Sequence, residues 1–164
     1  MTSYFTIDID GVLTAEDYAP NRPWLAPWEE RLRPGMWWVL DQLQRYVGLY
    51  PVAVTARHGS MEPDTIEWLR HTKLFPDLIT TCIHTSWDDK QRISDGINAI
   101  AHVDDHPKVL MSYFAAGSPC VPIHFEPRGR SASLIPETVA SPYELMERLI
   151  SLHDEVRRGL RPAR

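Results

Sequence analysis

The 164 residues are 43% hydrophobic and 24% charged, which suits one soluble globular domain large enough to bury a core without disulfide or metal staples. Cys82 and Cys120 form neither a disulfide framework nor a zinc signature. No run approaches the roughly 18 apolar residues of a membrane span, and no basic-then-apolar signal segment opens the sequence, so a cytoplasmic location is expected. The net charge of −5 argues against an indiscriminate nucleic-acid coat, and beside 14 arginines stand only three lysines, Lys73, Lys90 and Lys108.

Tyr4 to Ile9 (YFTIDI) is short and β-prone and runs into the turn dipeptide Asp10-Gly11. Residues 14–34 hold four prolines and two tryptophans, too many prolines for a continuous helix, and read as a short flap. Met36 to Tyr46 carries apolar residues at helical spacing and stops at Gly48. Val52 to Thr55 is a buried-strand candidate, and Glu62 to Lys73 reads as helix with Pro63 tolerated in its first turn. Leu78 to Ile83 is strand-like, Asp88 to Ala99 helical, and Ala101 to Val103 the end of a strand. His106 to Ala116 is again helical, Val121 to Phe125 strand-like, and Ser141 to Arg158 a closing amphipathic helix. Trp37, Trp38 and Trp68 lie in helical patterns and are expected in or near the core.

Strands alternating with helices predict an α/β fold, a parallel sheet in a three-layer, Rossmann-like α/β/α arrangement. In such sheets functional groups gather beyond the carboxyl ends of the strands. One domain is expected over residues 1–158, with the flap near 14–34 and a disordered basic tail at 159–164.

The first strand ends in D-x-D-G-x-L-T, with Asp8, Asp10, Gly11, Leu13 and Thr14. Residues two apart in a strand share a face, so both carboxylates can address one site. Like charges that close need a cation or a shared proton, and a hard divalent cation bound through oxygen supplies the first. One carboxylate can then act as nucleophile while the other moves protons. Turn aspartates that bond their own backbone are the competing explanation.

The second strand ends in Val52-Ala-Val-Thr55-Ala-Arg57, where a hydroxyl followed by backbone N–H groups can hold a phosphoryl oxygen. Lys90, in DDKQRI at a helix start, can neutralise charge on a transferring group, although a solvated surface lysine reads the same alone. A further short apolar strand runs into His102-Val-Asp104-Asp105-His106-Pro107, a second source of carboxylates at the same sheet edge, suited to magnesium. Asp105 can equally cap the helix that Pro107 opens. His102 and His106 straddle the strand end, and zinc is not expected there.

Together these four motifs, DIDGVLT, VAVTAR, Lys90 in WDDKQRI and HVDDHP, resemble the haloacid dehalogenase-like superfamily in type and order. The resemblance implies that Asp8 is the nucleophile forming an aspartyl-phosphate and Asp10 the general acid and base. It gives Asp10 a further role as a magnesium ligand through its backbone carbonyl. Asp8 and Asp104 would ligate Mg2+, with Asp105 as ligand or supporting partner. Gly11, Thr55, the Ala56 amide and Arg57 would bind the phosphoryl group, and Lys90 would hold Asp8 and the phosphate oxygens. The second acid of D-x-D favours a phosphatase, because Asp10 can protonate a leaving alcohol and later activate water.

The spacing leaves no room for a large cap, so the resemblance is to minimal or capless members with an open site. Two groups look closest. They are the phosphatase half of phage-type polynucleotide kinase-phosphatases, similar in size and in the Arg two after the second motif, and the 5'(3')-deoxyribonucleotidase-like proteins. The expected substrate is accordingly a nucleotide or a nucleic-acid end, with no membrane partner and with a homo-oligomer left open. No G-x-x-x-x-G-K-[ST] loop exists, so a kinase is not encoded in these residues. Trp24, Trp28 and Arg31 can either contact substrate from the flap or pack it down, and His58, Arg128 and Arg130 have similar alternatives. A protein phosphatase and a non-catalytic phosphate-binding module are the competing functions.

Overall fold

The computed structural model describes residues 3–14, 32–57, 59–73, 82–84, 86–127 and 135–160. Its six strands are β1 (Ser3–Ile7), β2 (Leu49–Thr55), β3 (Cys82–His84), β4 (Ala101–Asp104), β5 (Val121–Phe125) and β6 (Thr138–Val139). They form one sheet in the order β3-β2-β1-β4-β5-β6, with every pairing parallel. Strands covered on both faces read as nearly continuous apolar runs, and Phe5, Ile7, Val103 and Ile123 are sealed from solvent accordingly. Past the end of β1, the Asp8 N–H still donates to Val103 O (2.9 Å), so the first acidic residue is tied to β4.

Among the described residues five α-helices connect and cover the sheet: α1 (Met36–Gln42), α2 (Glu62–Thr72), α3 (Lys90–Gly96), α4 (Pro107–Ala116) and α5 (Pro142–Arg157). α1 packs against α5 and α3 against α4, as expected when helices form a layer on each face. α1 runs on through a wider turn, Leu43–Val47, and ends at Gly48, whose φ of +75° suits a residue without a side chain. Sequence also sets the start of α5. Ser141 Oγ accepts the Glu144 N–H (3.2 Å), the Glu144 carboxylate accepts the Ala140 N–H (2.8 Å), and Pro142 occupies the first turn.

The expected α/β architecture is the observed one, with local departures. β2 begins at Leu49, earlier than Val52, because Pro51 is accommodated in register opposite Phe5. Trp87–Asp89 form a tight 3-10 turn, so α3 begins at Lys90 and ends by Gly96 rather than Ala99. β6 was not expected, being two residues long. Trp37 and Trp38, expected in the core or partly buried, are instead exposed, at 44% and 43%. The helical period explains this: Met36, Val39, Leu40 and Leu43 make the buried stripe of α1 and leave the tryptophans off it. Trp37 Nε1–H donates to Thr72 O (2.9 Å), and the Trp38 ring lies 5.6 Å from that of Tyr143. Trp68 is buried, as expected.

An antiparallel bridge between Thr14 and Leu32 closes the base of the expected flap. Trp24, Trp28 and Arg31 lie outside the described residues, as do His58, Arg128, Arg130, residues 161–164 of the tail and residues 78–81 of the third expected strand.

Candidate active site

From β1 the sheet grows in two directions, through β2 to β3 and through β4 to β6, so the point between β1 and β4 is where the strand order reverses. Side chains beyond the carboxyl ends of these two strands border the crevice that such a reversal opens. Thr6 is in register with His102. Strand alternation therefore places Thr6 and Asp8 of β1, and His102 and Asp104 of β4, on one face. That face lies toward α3 and α4, where Ser94 and Tyr113 meet the same group of side chains.

Lys90 opens α3 and projects between the two acids. Its Nζ lies 2.9 Å from Asp8 Oδ1 and 2.8 Å from Asp104 Oδ2, and the residue is only 2% exposed. Burial alone would push a lysine down, but the charges of Asp8 and Asp104 more than offset it and Lys90 is held above its ordinary value. Burial would likewise raise Asp104. Lys90 and the hydrogen bond from His102 outweigh it, and Asp104 stays well below the usual carboxylate range. Asp8 has fewer partners. Burial first, and then the charge of Asp104, raise it to about 8 despite Lys90. One ammonium cannot neutralise two buried carboxylates, and Asp104 holds the charge.

A second cation would complete the set. Oxygens of Asp8, Asp104 and Asp105 lie within 4.8 Å of one another, and hard carboxylate oxygens are the donors that a hard divalent cation prefers. Asp104 still has capacity. Oδ2 accepts from Lys90 and His102 (3.1 Å), Oδ1 accepts the His106 N–H (2.8 Å), and a carboxylate has about four lone-pair sites. Gly11 keeps the cluster open, because a Cβ there would collide with the Asp105 carboxylate and φ is +76°. The residues present therefore fit a divalent cation.

The Asp10 carboxylate is not in this cluster. It accepts a fork from Arg57, with Nη2 to Oδ1 at 2.6 Å and Nε to Oδ2 at 2.9 Å. Arg57 is itself held by Thr65 Oγ1 (3.4 Å) and lies over the Trp68 ring, 5.9 Å from its centroid. Thr55 is buried at the end of β2, and its Oγ1 accepts the Arg57 N–H (3.2 Å). Thus Asp8, Lys90, Asp104 and Asp105 converge, with Gly11 against Asp105. Asp10 and Arg57 form a pair beside them, and Thr55, Ala56 and Arg57 share the end of β2.

Two residues escaped the sequence reading of the site. Arg33 pins the loop that carries Asp10: Nη2 donates to Gly11 O (2.5 Å) and Thr14 O (3.1 Å), and Nε to Val12 O (3.1 Å). Its guanidinium also lies 5.0 Å from the Phe125 ring centroid. No local motif marks it, because its partners lie 19 to 22 residues away in the sequence. His102 is the second, weighed only as a metal ligand and found instead bonded to Asp104. Its position two before Asp104 in a strand was the usable signal.

No family model and no curated protein matches the chain. Solved structures do. The D,D-heptose 1,7-bisphosphate phosphatase of Burkholderia thailandensis superposes with a TM-score of 0.62 at 12% identity over 92% of this chain and 99% of its own. A cobalt-bound deoxy-D-mannose-octulosonate 8-phosphate phosphatase of Haemophilus influenzae gives 0.60 at 12% identity over 94% and 90%. DsGPDH of Dunaliella salina gives 0.63 at 18% identity over 88% of this chain and 28% of that one. Identities this low speak to fold alone, and the chain shares the parallel α/β fold of these structures.

Proposed function

We propose that the chain is a magnesium-dependent phosphomonoesterase that works through an aspartyl-phosphate on Asp8 and acts on a nucleotide or polynucleotide end. The observation that carries this reading is Lys90 held between Asp8 and Asp104 with Asp105 alongside, at the reversal point of the sheet. A cation bound by Asp8, Asp104 and Asp105 would supply the missing positive charge, letting Asp8 ionise and drawing charge from the phosphoryl oxygens.

In the first step an Asp8 oxygen attacks phosphorus, the bond from phosphorus to the leaving oxygen breaks, and Asp10 gives its proton to that oxygen. In the second, water attacks the aspartyl-phosphate, Asp10 takes a proton from the water, and the bond between Asp8 and phosphorus breaks to release phosphate. Lys90 steadies the negative charge on Asp8 and on the phosphoryl oxygens throughout. Thr55 and the Ala56 N–H hold one phosphoryl oxygen at the end of β2. For Asp10 to carry a proton the Arg57 fork must open, and an incoming phosphate is a natural competitor for that guanidinium. Arg57 would thus serve the phosphate and Asp10 in turn.

Only residues 15–31 and 74–81 separate described elements where a cap would stand, fewer than an independent domain needs. A site with so few residues available for a cap leaves room for a bulky polymer end. Two of the three structural neighbours named above act on phosphorylated sugars by name, so sugar phosphates belong in the same trial. The test is phosphate release from an aryl phosphate, mononucleotides, 3'- and 5'-phosphorylated oligonucleotides, sugar phosphates and phosphopeptides, with Mg2+ or chelator. Turnover that stops with chelator and in Asp8→Asn, and is fastest on a nucleotide or oligonucleotide, is the expected result. Full turnover in Asp8→Asn would overturn the mechanism, and preference for a sugar phosphate or a phosphopeptide would overturn the substrate.

A further inference from the structure

Beneath the candidate site runs a chain of buried hydrogen bonds that the proposed mechanism does not use. Tyr113 OH meets Ser94 Oγ at 2.8 Å, Ser94 Oγ meets Thr6 Oγ1 at 2.7 Å, and Thr6 Oγ1 meets His102 Nδ1 at 2.9 Å. His102 Nε2 then meets Asp104 Oδ2 at 3.1 Å. All five residues are buried, and the His102 ring is stacked on that of Tyr113 at 4.9 Å and 9°.

The direction of these bonds follows from their far end. Asp104 already accepts from Lys90 Nζ and the His106 N–H, so its carboxylate is an acceptor and His102 Nε2 must carry the hydrogen. With its hydrogen on Nε2, His102 offers Nδ1 as an acceptor and Thr6 donates to it. Tyr113 can then donate to Ser94, whose one hydroxyl hydrogen goes either to Thr6 Oγ1 or to Lys90 O. Ser94 Oγ also lies 3.0 Å from Lys90 O, which ties the backbone of Lys90 to the same group that fixes its ammonium through Asp104. The last link ends on Oδ2, the oxygen that Lys90 holds, and not on an idle atom.

We propose that His102 is a positioning residue, which fixes the Asp104 carboxylate, through a relay from Tyr113, Ser94 and Thr6, in the orientation that Lys90 and a divalent cation require. The proposal rests on the site assigned above, but it concerns cation affinity first and turnover second. Partners that orient a metal ligand commonly contribute about 10- to 100-fold in affinity or activity.

The experiment compares wild type with His102→Leu, His102→Gln and Thr6→Val, by Mg2+ titration of the protein alone and by kcat and KM on an aryl phosphate. His102→Leu should weaken Mg2+ binding and lower kcat by about 10-fold or more, with KM changed far less. His102→Gln keeps an N–H near the Nε2 position and should recover most of both. Thr6→Val leaves His102 in place without its donor and should shift both in the same direction by a smaller factor. Equal loss in His102→Leu and His102→Gln, or unchanged Mg2+ affinity in His102→Leu, would reduce His102 to packing and overturn the proposal. If His102→Leu does not fold, wild-type Mg2+ affinity in Thr6→Val overturns it just as well. A wild type that binds Mg2+ in the expected pattern but hydrolyses no phosphate ester would sink the phosphatase reading and leave the positioning role standing.

Discussion

Lys90 meets two acids from a position almost sealed from water, where charges interact several-fold more strongly than at the surface. Removing it would leave Asp8 and Asp104 facing each other with no ammonium between them, and the loss of one partner from such a buried set costs about 3–5 kcal/mol. Lys90→Ala should therefore lower the stability of the metal-free protein strongly and reduce kcat on any accepted phosphate ester by about 100-fold or more. The other two lysines are internal controls. Lys108 is exposed on the first turn of α4, and Lys73 closes α2 with φ of 56°, so Lys73→Ala and Lys108→Ala should stay within a few-fold of wild-type kcat. Steady-state kinetics and thermal melts in chelator check both halves, and a fully active Lys90→Ala would remove Lys90 from the site.

At the level of elements, what the sequence made legible was whatever sits at the end of an apolar strand. Asp8 and Asp104 each follow a short buried run, and strand periodicity alone puts them where a parallel sheet keeps its chemistry. The same periodicity extended two residues back would have reached Thr6 and His102. What stayed illegible depends on contacts distant in sequence: the fork from Arg57 to Asp10, and the anchoring of residues 11–14 by Arg33. Arg33 is thus the best test of whether the flap base positions the catalytic loop. Its three bonds to Gly11, Val12 and Thr14 carbonyls, with a contact to the Phe125 ring, hold the segment that follows Asp10. Arg33→Ala should cost about 2–3 kcal/mol, since bonds from charged donors contribute about 1.5–3 kcal/mol each and Arg33 is only half-buried, so that water replaces some of them. It should also lower kcat by about 10-fold with the Mg2+ midpoint nearly unchanged. Arg33→Lys should not restore activity, because an ammonium cannot span three carbonyls as a fork does. Wild-type kcat in Arg33→Ala would detach the flap base from the chemistry.

Across the whole molecule, the clearest consequence of the proposed site is that a divalent cation should stabilise the folded chain. Three carboxylates from the ends of β1 and β4 come together only in the folded state, so binding energy there adds to folding energy. At 100 times the dissociation constant the gain is about 2.7 kcal/mol, or about 5–10 °C in Tm for a chain of this size. The gain must depend on pH, and its sign follows from Asp8. Its carboxyl is raised from 3.8 to about 8 by burial and by Asp104, so without a cation its contribution to stability is complete below pH 3.8 and is lost as pH rises through about 8. A cation binds the ionised form and reverses that loss. Melts in chelator should therefore drop from pH 5 to pH 8 more steeply in wild type than in Asp8→Asn, while the increment from Mg2+ should grow over the same range. Asp105→Asn should lose most of the increment. Asp10→Asn should keep it while losing turnover, because its side chain pairs with Arg57 and stands outside the three-acid cluster. An increment that is flat with pH, or that vanishes in Asp10→Asn and survives in Asp105→Asn, would place the cation somewhere other than between β1 and β4.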